Sequence, residues 1–259
     1  MCTSFPPFPP VMTSLIRQIG ALAVRTFRRE PQTSSSNFMS QYEQLYNILN
    51  TIKAEDINLD PSLLEDRGTF NPRRDGAPVT YMQLYEDSDV TICVFILKKG
   101  VRLPMHDHPG MHGLLKVLHG SVAVQSYSFI ANMSMDGVPV NQSLSGMFPA
   151  RKHEAVTVSA SDPACRLLPE KQNVHEIRSL NGPAAFLDIL APPYGTDKRL
   201  GIERDCHYYQ ELVGGFPPPQ VPEGRLVWLV NVPSPTDFWC DQAEYSGPPI
   251  EEDSDENGS

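Results

Sequence analysis

Three of the chain's seven histidines lie within seven positions, between two stretches that have the composition of β-strands. They are His106, His108 and His112. Residues 90–97 before them (V-T-I-C-V-F-I-L) are apolar and rich in β-branched side chains, as a buried strand requires. Residues 114–124 after them have the same character. The histidines are therefore expected at a strand edge and turn within a β-rich region.

The spacing of the first two histidines indicates a shared side-chain direction. Because alternate residues of an extended chain face the same way, His106 and His108 are expected on one face and Asp107 on the other. Two neutral imidazoles on one strand form half of a site that suits iron, copper, zinc or nickel. A polar patch at a sheet edge would show the same spacing, so the spacing alone leaves both interpretations open.

The rest of the sequence favours a β-rich architecture with many turns. Of 259 residues, 40% are hydrophobic, which is enough for a substantial core, and 25 prolines and 17 glycines favour turns over long helices. Between residues 80 and 232, short apolar stretches alternate with Gly, Pro, Asn and Asp, without helical periodicity. These features predict an antiparallel sandwich or barrel.

Charge, hydropathy and cysteine content indicate which partners and which compartment to expect. The net charge of −10 argues against nucleic acid or an anionic membrane as the main partner. No stretch of about 18 apolar residues is present that would cross a membrane as a helix. The five cysteines are odd in number and widely spaced, which favours reduced thiols in an intracellular protein. We expect a monomer in the cytoplasm, with the nucleus as a second compartment.

The chain is expected to have three parts. Residues 1–37 contain a basic helix and a linker, residues 38–250 form the main domain, beginning with an amphipathic helix over 38–54, and residues 251–259 are a disordered acidic tail. Residues 12–29 carry four arginines and no acid, which leaves a mitochondrial targeting segment open. A helix that packs on the domain is favoured, because the proline-rich residues 6–10 make a poor start for a targeting segment. The packing side chains would be Leu15, Ile16, Ile19, Leu22 and Phe27.

A metal needs at least one more protein ligand, and five histidines remain: His112, His119, His153, His175 and His207. His112 follows the Pro109-Gly110 turn, so strand alternation does not place it on the face of the first pair. His153 lies in a charged run and His207 among aromatic residues. His175 is the strongest candidate, because it could enter on a strand from the opposite half of a barrel. Spacing alone does not decide among them.

Longer strings carry a family resemblance. They are P-M-H-D-H-P-G-M-H-G-L-L-K-V-L-H-G, N-V-H-E-I, G-P-A-A-F-L-D-I-L-A-P-P-Y and R-D-C-H-Y-Y, with V-W-L-V-N-V-P, D-F-W-C and Y-S-G-P near the end. The sequence resembles the thiol dioxygenases of the cupin superfamily, the family of the cysteamine dioxygenases and plant cysteine oxidases. The resemblance covers about residues 12–30 and 40–250. It implies an all-β fold: a cupin-type antiparallel β-barrel, or double-stranded β-helix, with short N-terminal helices.

The resemblance also implies a cofactor and a reaction. The family's iron ligands fall on His106, His108 and His175, so the cofactor would be Fe(2+). The glutamate of the usual cupin motif is replaced by His112, which leaves three neutral ligands. The family adds both atoms of O2 to a thiol to give a sulfinate. Its substrates are cysteamine, which becomes hypotaurine, and proteins or peptides with an N-terminal cysteine, whose oxidation serves oxygen sensing.

The resemblance gives roles to five further residues. Asp188 would pair with the substrate amine or with a donor that supports the ligands, unless it holds a backbone turn. Tyr194 would lie near the active site, although a core or rim position is open. Cys206 and Tyr208 match a pair that can form a thioether cross-link, with a plain buried thiol as the alternative. We assign His112 to hydrogen bonding that supports the metal ligands.

Two other functions compete with the dioxygenase. One is a non-catalytic cupin that keeps the fold as a metal-binding or interaction module. The presence of all three of His106, His108 and His175 favours the dioxygenase over it. A zinc hydrolase would need a general base near the ligands. It is less favoured, because Asp107 points away and Asp188 is flanked by apolar residues.

Overall fold

A computed structural model describes residues 14–28, 35–130, 146–212 and 225–250. The predicted acidic tail at 251–259 and much of the predicted linker lie outside these residues. The helices are α1 (Leu15–Phe27), α2 (Ser35–Leu49), the 3-10 helices Ala54–Ile57 and Pro61–Leu64, and α3 (Pro72–Asp75). The first strands are β1 (Val79–Glu86), β2 (Thr91–Leu97), β3 (Arg102–Asp107), β4 (His112–His119), β5 (Ser121–Phe129), β6 (Met147–Lys152), β7 (Val156–Ser159) and β8 (Cys165–Leu167). The later strands are β9 (Val174–Ser179), β10 (Ala184–Ala191), β11 (Gly195–Asp197), β12 (Ile202–Arg204), β13 (Tyr208–Glu211), β14 (Arg225–Val232) and β15 (Cys240–Gln242).

The strands form two large sheets and a separate hairpin of β11 and β12. Sheet A has the order β15-β1-β2-β10-β4-β8, and sheet B has the order β6-β14-β13-β3-β9-β5-β7. Consecutive strands alternate between the sheets: β2 and β4 belong to sheet A, β3 and β5 to sheet B, and the chain later returns through β9 in B and β10 in A. This winding is a double-stranded β-helix, so the predicted all-β fold is confirmed.

The central strand β10 shows how the two faces of sheet A are used. All eight of its residues are buried. Ala184 and Phe186 face the space between the sheets, where they pack with residues such as Val117 and Ile177. Leu187 and Ile189 alternate with them and face a second apolar cluster that includes the helices. The continuous apolar sequence of this strand follows from burial on both sides.

Helices α1 and α2 pack against the outer face of sheet A. Ile16, Ile19, Leu22 and Phe27 are buried in the same cluster as β10, and Leu15 is partly buried against it. The packing predicted for these five residues is therefore found. Helix α2 begins at Ser35 and ends at Leu49, earlier than the predicted helix over 38–54. None of the helices in the described ranges is long and apolar enough to cross a membrane.

Sheet B closes into a ring. Besides its neighbours in the sheet, β6 pairs with β5, which completes a ring of six antiparallel strands: β5, β6, β14, β13, β3 and β9. Apolar side chains from all six strands fill the ring, including Met105, Val174, Tyr209 and Leu229. Strand β3 therefore has two buried faces, one towards this ring and one towards sheet A.

Candidate metal centre

The pairing of β3 with β9 brings two predicted ligands together. In the register of the two strands, His106 lies opposite His175. The register shifts between Leu103 and His106, at an irregularity of the kind that redirects a side chain. His108 follows the end of β3 at Asp107. One residue of β3, the residue that follows β3 and one residue of β9 thus converge on a single point.

The three imidazoles form a compact group. The ring centroids lie 4.7 Å apart for His106 and His108, 4.9 Å for His106 and His175, and 4.7 Å for His108 and His175. One ligand nitrogen from each ring lies within 4.8 Å of the other two. This arrangement leaves room for one metal ion bound by three nitrogens.

Backbone carbonyls orient two of the rings. Nδ1 of His106 lies 2.8 Å from the carbonyl oxygen of Pro104, and Nδ1 of His108 lies 3.3 Å from that of Asn173. Because a carbonyl only accepts, each Nδ1 carries a proton and each Nε2 keeps its lone pair for a metal. The backbone N–H of His108 also donates to Asn173 O, at 2.8 Å. Such hydrogen bonds fix the tautomer of a ligand histidine.

Burial keeps the three rings neutral. It lowers the pKa of His106, and together with the neighbouring imidazoles it holds the pKa values of His108 and His175 well below the usual value. Asp107 points away from the group, as predicted: its carboxylate accepts from the Tyr209 hydroxyl at 3.0 Å. Because none of the three ligands carries a negative charge, a divalent metal bound here would keep its full positive charge. That charge favours the binding of an anionic ligand.

Asp188 lies on β10 and shares a face with Phe186, which points between the sheets. Burial raises the pKa of its carboxyl to about 7. Its Oδ1 is buried and has no hydrogen-bond partner among the residues that the structure describes. In the strand register Asp188 lies opposite Cys93. A buried carboxyl oxygen without a donor is costly, so the side chain is suited to a ligand that brings one.

Tyr194 and Cys206 form a second polar group next to the histidines. The Tyr194 ring lies 5.7 Å from that of His108, and its hydroxyl donates to the carbonyl oxygen of Asp107 at 2.5 Å. The hydroxyls of Tyr194 and Tyr208 interact with the Cys206 thiol and lower its pKa, but burial is the larger effect and raises the pKa to about 11. Tyr208 lies opposite His106 in the register of β13 and β3. The contact between Cys206 and Tyr208 is compatible with the predicted cross-link.

His112 does not support the metal ligands, which corrects its predicted role. It begins β4, and its ring packs against Phe27, Phe38 and Tyr42 at centroid distances of 5.9, 5.3 and 5.9 Å. Its Nδ1 is buried without a hydrogen-bond partner in the described chain. The physical reason is strand alternation: His112 faces the helices, on the opposite side of sheet A from the space between the sheets.

The other three histidines are also outside the group. His119 is exposed at the end of β4, His153 contacts Ser128, and His207 donates its backbone N–H to Asp107 at 2.8 Å. Sequence reasoning missed the two carbonyls that orient the ring nitrogens, because a backbone acceptor leaves no mark in residue identity.

Comparisons with known proteins show the family of the chain. The family model PCO_ADO matches residues 48–250. The chain belongs to the PCO_ADO family of thiol dioxygenases. It is 35% identical to 2-aminoethanethiol dioxygenase of Homo sapiens over 272 residues, which cover 92% of this chain and 97% of that protein. It is 30% identical to plant cysteine oxidase 1 of Arabidopsis thaliana over 172 residues, which cover 66% of this chain and 55% of that protein.

The PCO_ADO match contains the three histidines and all the predicted site residues, but it begins after α1. The mouse 2-aminoethanethiol dioxygenase, at 36% identity, is again covered over 97% of its length. The resemblance of this chain to the thiol dioxygenases is therefore confirmed.

Proposed function

We propose that the protein is an iron-dependent thiol dioxygenase, which converts a thiol R–SH and O2 into the sulfinic acid R–SO2H. The observation that carries the proposal is the group of three neutral imidazoles, with ligand atoms within 4.8 Å of one another, in a PCO_ADO chain. Both oxygen atoms enter the product, so no external reductant is needed. His106, His108 and His175 would hold Fe(2+), which supplies O2 activation and favours the thiolate form of the substrate.

The chain's own residues would bind and orient the substrate. The buried carboxyl of Asp188 is the group best suited to receive an ammonium, since its Oδ1 lacks a partner within the described part of the chain. The Tyr194 hydroxyl donates to the Asp107 carbonyl and interacts with the Cys206 thiol. These contacts hold the Tyr194 ring in place beside His108. Tyr208 lies next to His106 on the neighbouring strand and limits the space on that side.

This arrangement supports a substrate class that carries an amine close to the thiol. Cysteamine and an N-terminal cysteine both carry an amine two carbons from the sulfur, so one carboxyl can orient either. The printed names of the relatives, a 2-aminoethanethiol dioxygenase and a plant cysteine oxidase, support the same two classes. We further propose an intracellular role in which oxidation of a protein's N-terminal cysteine reports O2. The free cysteines Cys93, Cys165, Cys206 and Cys240 are consistent with a reducing compartment.

The test is O2 uptake by Fe(II)-loaded protein, with mass spectrometry of cysteamine and of a peptide that begins with cysteine. We expect each thiol to gain two oxygen atoms. His175→Ala should abolish turnover, because it removes one of three ligands. His119→Ala is the matched control, since this histidine is exposed and outside the group. Tight iron binding without oxidation of either thiol would contradict the dioxygenase and favour a binding module.

A further inference from the structure

The segment that precedes β9 forms hydrogen bonds to one of the three histidines, His108. The carbonyl of Asn173 accepts two hydrogen bonds from His108, from the backbone N–H at 2.8 Å and from Nδ1 at 3.3 Å. The preceding residue, Gln172, has a φ of 57°, a left-handed conformation that is uncommon outside glycine. Something must hold this turn if the Asn173 carbonyl is to stay aligned with the ring.

Ser128 on β5 contacts the strained turn. The backbone pairing of β5 with β9 ends at Tyr127 opposite Val174. At the next residue of β5, a side chain replaces the backbone as the partner: Ser128 Oγ accepts the backbone N–H of Gln172 at 2.8 Å. Ser128 thus ties the left-handed residue to the sheet at the point where the strand ladder stops.

His153 fixes the orientation of the Ser128 hydroxyl. Its Nε2 lies 2.7 Å from Ser128 Oγ. Because Ser128 accepts from Gln172, its own proton is free to be donated to Nε2, which must then be unprotonated. Burial, followed by the charges of Arg151 and Lys171, lowers the pKa of His153 and favours this neutral form.

The backbone of His153 is itself anchored to β5. Its N–H donates to the carbonyl of Ser126 at 3.0 Å, and its carbonyl accepts from the Gln125 side chain at 2.7 Å. A chain of contacts therefore runs from β5 through His153, Ser128 and the turn to His108. None of these contacts involves the metal ligands' coordinating nitrogens.

We propose that Ser128 and His153 are positioning residues for the metal centre, which hold the Gln172–Asn173 peptide so that the Asn173 carbonyl sets the tautomer and direction of the His108 ring. The proposal rests on the proposed metal site. It predicts that the pair affects metal binding as well as folding stability. Loss of a hydrogen bond that supports a ligand typically weakens metal affinity about 10- to 100-fold.

The experiment measures Co(II) affinity and the visible Co(II) absorption of the folded protein by competition titration. Ser128→Ala, which removes the acceptor for Gln172, and His153→Phe, which removes the acceptor for Ser128, should each weaken Co(II) binding about tenfold and shift its absorption bands. His153→Gln should restore both values towards wild type, because its side-chain oxygen can accept the Ser128 proton. The control Ser159→Ala loses hydrogen bonds to Asp162 and Ser161 in another turn and should leave both values unchanged.

Circular dichroism checks that each variant is folded under the assay conditions. Wild-type affinity and spectrum in Ser128→Ala would overturn the proposal, as would equal losses in His153→Phe and His153→Gln. A wild-type protein that binds no Co(II) or Fe(II) would overturn both the proposed function and this inference. Co(II) binding that follows the expected order, without oxidation of any thiol, would retain the inference and remove the dioxygenase.

Discussion

The carboxyl of Asp188 should make the metal-free protein less stable as the pH rises. Burial raises its pKa from 3.8 to about 7. Between these two pKa values the folded state therefore keeps a proton that the unfolded state releases. The free energy of unfolding falls as the pH rises through this range and no longer changes above it, as far as Asp188 contributes. The shift of about three units corresponds to about 4 kcal/mol, at about 1.4 kcal/mol for each unit.

Asp188→Asn removes this dependence while it preserves the shape of the side chain. At pH 4 the protonated carboxyl and the amide are nearly equivalent, so the two proteins should have similar free energies of unfolding. At pH 8 the variant should be more stable by about 4 kcal/mol. It should also lose much of its thiol oxidation, because an amide does not attract an ammonium. Stability gained at the expense of activity is common at functional sites.

The assay is urea denaturation of metal-free wild type and variant at intervals between pH 4 and pH 8. Taking the difference between the two proteins at each pH cancels the contribution of the buried histidines, which both proteins share. Glu154→Gln, at an exposed acid, is the control for a general charge effect. A difference that stays constant over this range would refute the reasoning, because it would mean that Asp188 is ionised in the folded state at low pH.

Two further outcomes are expected. His112→Phe should leave metal affinity unchanged, since the ring packs on α1 and α2, and should stabilise the protein by about 1 kcal/mol by removing a buried unpaired nitrogen; calorimetry and Co(II) titration check both. Lys116→Met should lower the free energy of unfolding by about 3 kcal/mol, because buried Lys116 donates to the carbonyls of Ala160 and Asp162 at 2.8 and 2.6 Å. Unchanged urea stability of the lysine variant would mean that these carbonyls find other donors.

The sequence was most informative where strand periodicity acts within a few residues. His106 and His108 share one direction and Asp107 takes the other, because alternation in an extended chain requires it. The burial of α1 was likewise predictable from its apolar spacing. His175 needed the family resemblance, since its position opposite His106 depends on the register between strands about 70 residues apart.

The features that sequence reasoning missed depend on contacts between distant segments. The sequence predicts that His112 supports the metal ligands by hydrogen bonding, but aromatic rings from α1 and α2 surround it. His153 lies in a charged run of the sequence, yet its Nε2 contacts Ser128. Neither position is encoded in local composition, because each results from which strand and helix lie beside it.

The closed ring of six strands affects the order in which the protein can assemble. His106 on β3 acquires its neighbour Tyr208 only when a segment about 100 residues later is available, and β14 must then join β13 to β6. A chain still emerging from the ribosome before that point exposes one edge of β3, with unpaired backbone groups beside the histidines. Contacts so distant along the chain are associated with slow folding. We expect nascent chains cut before β13 to depend on chaperones and to aggregate without them.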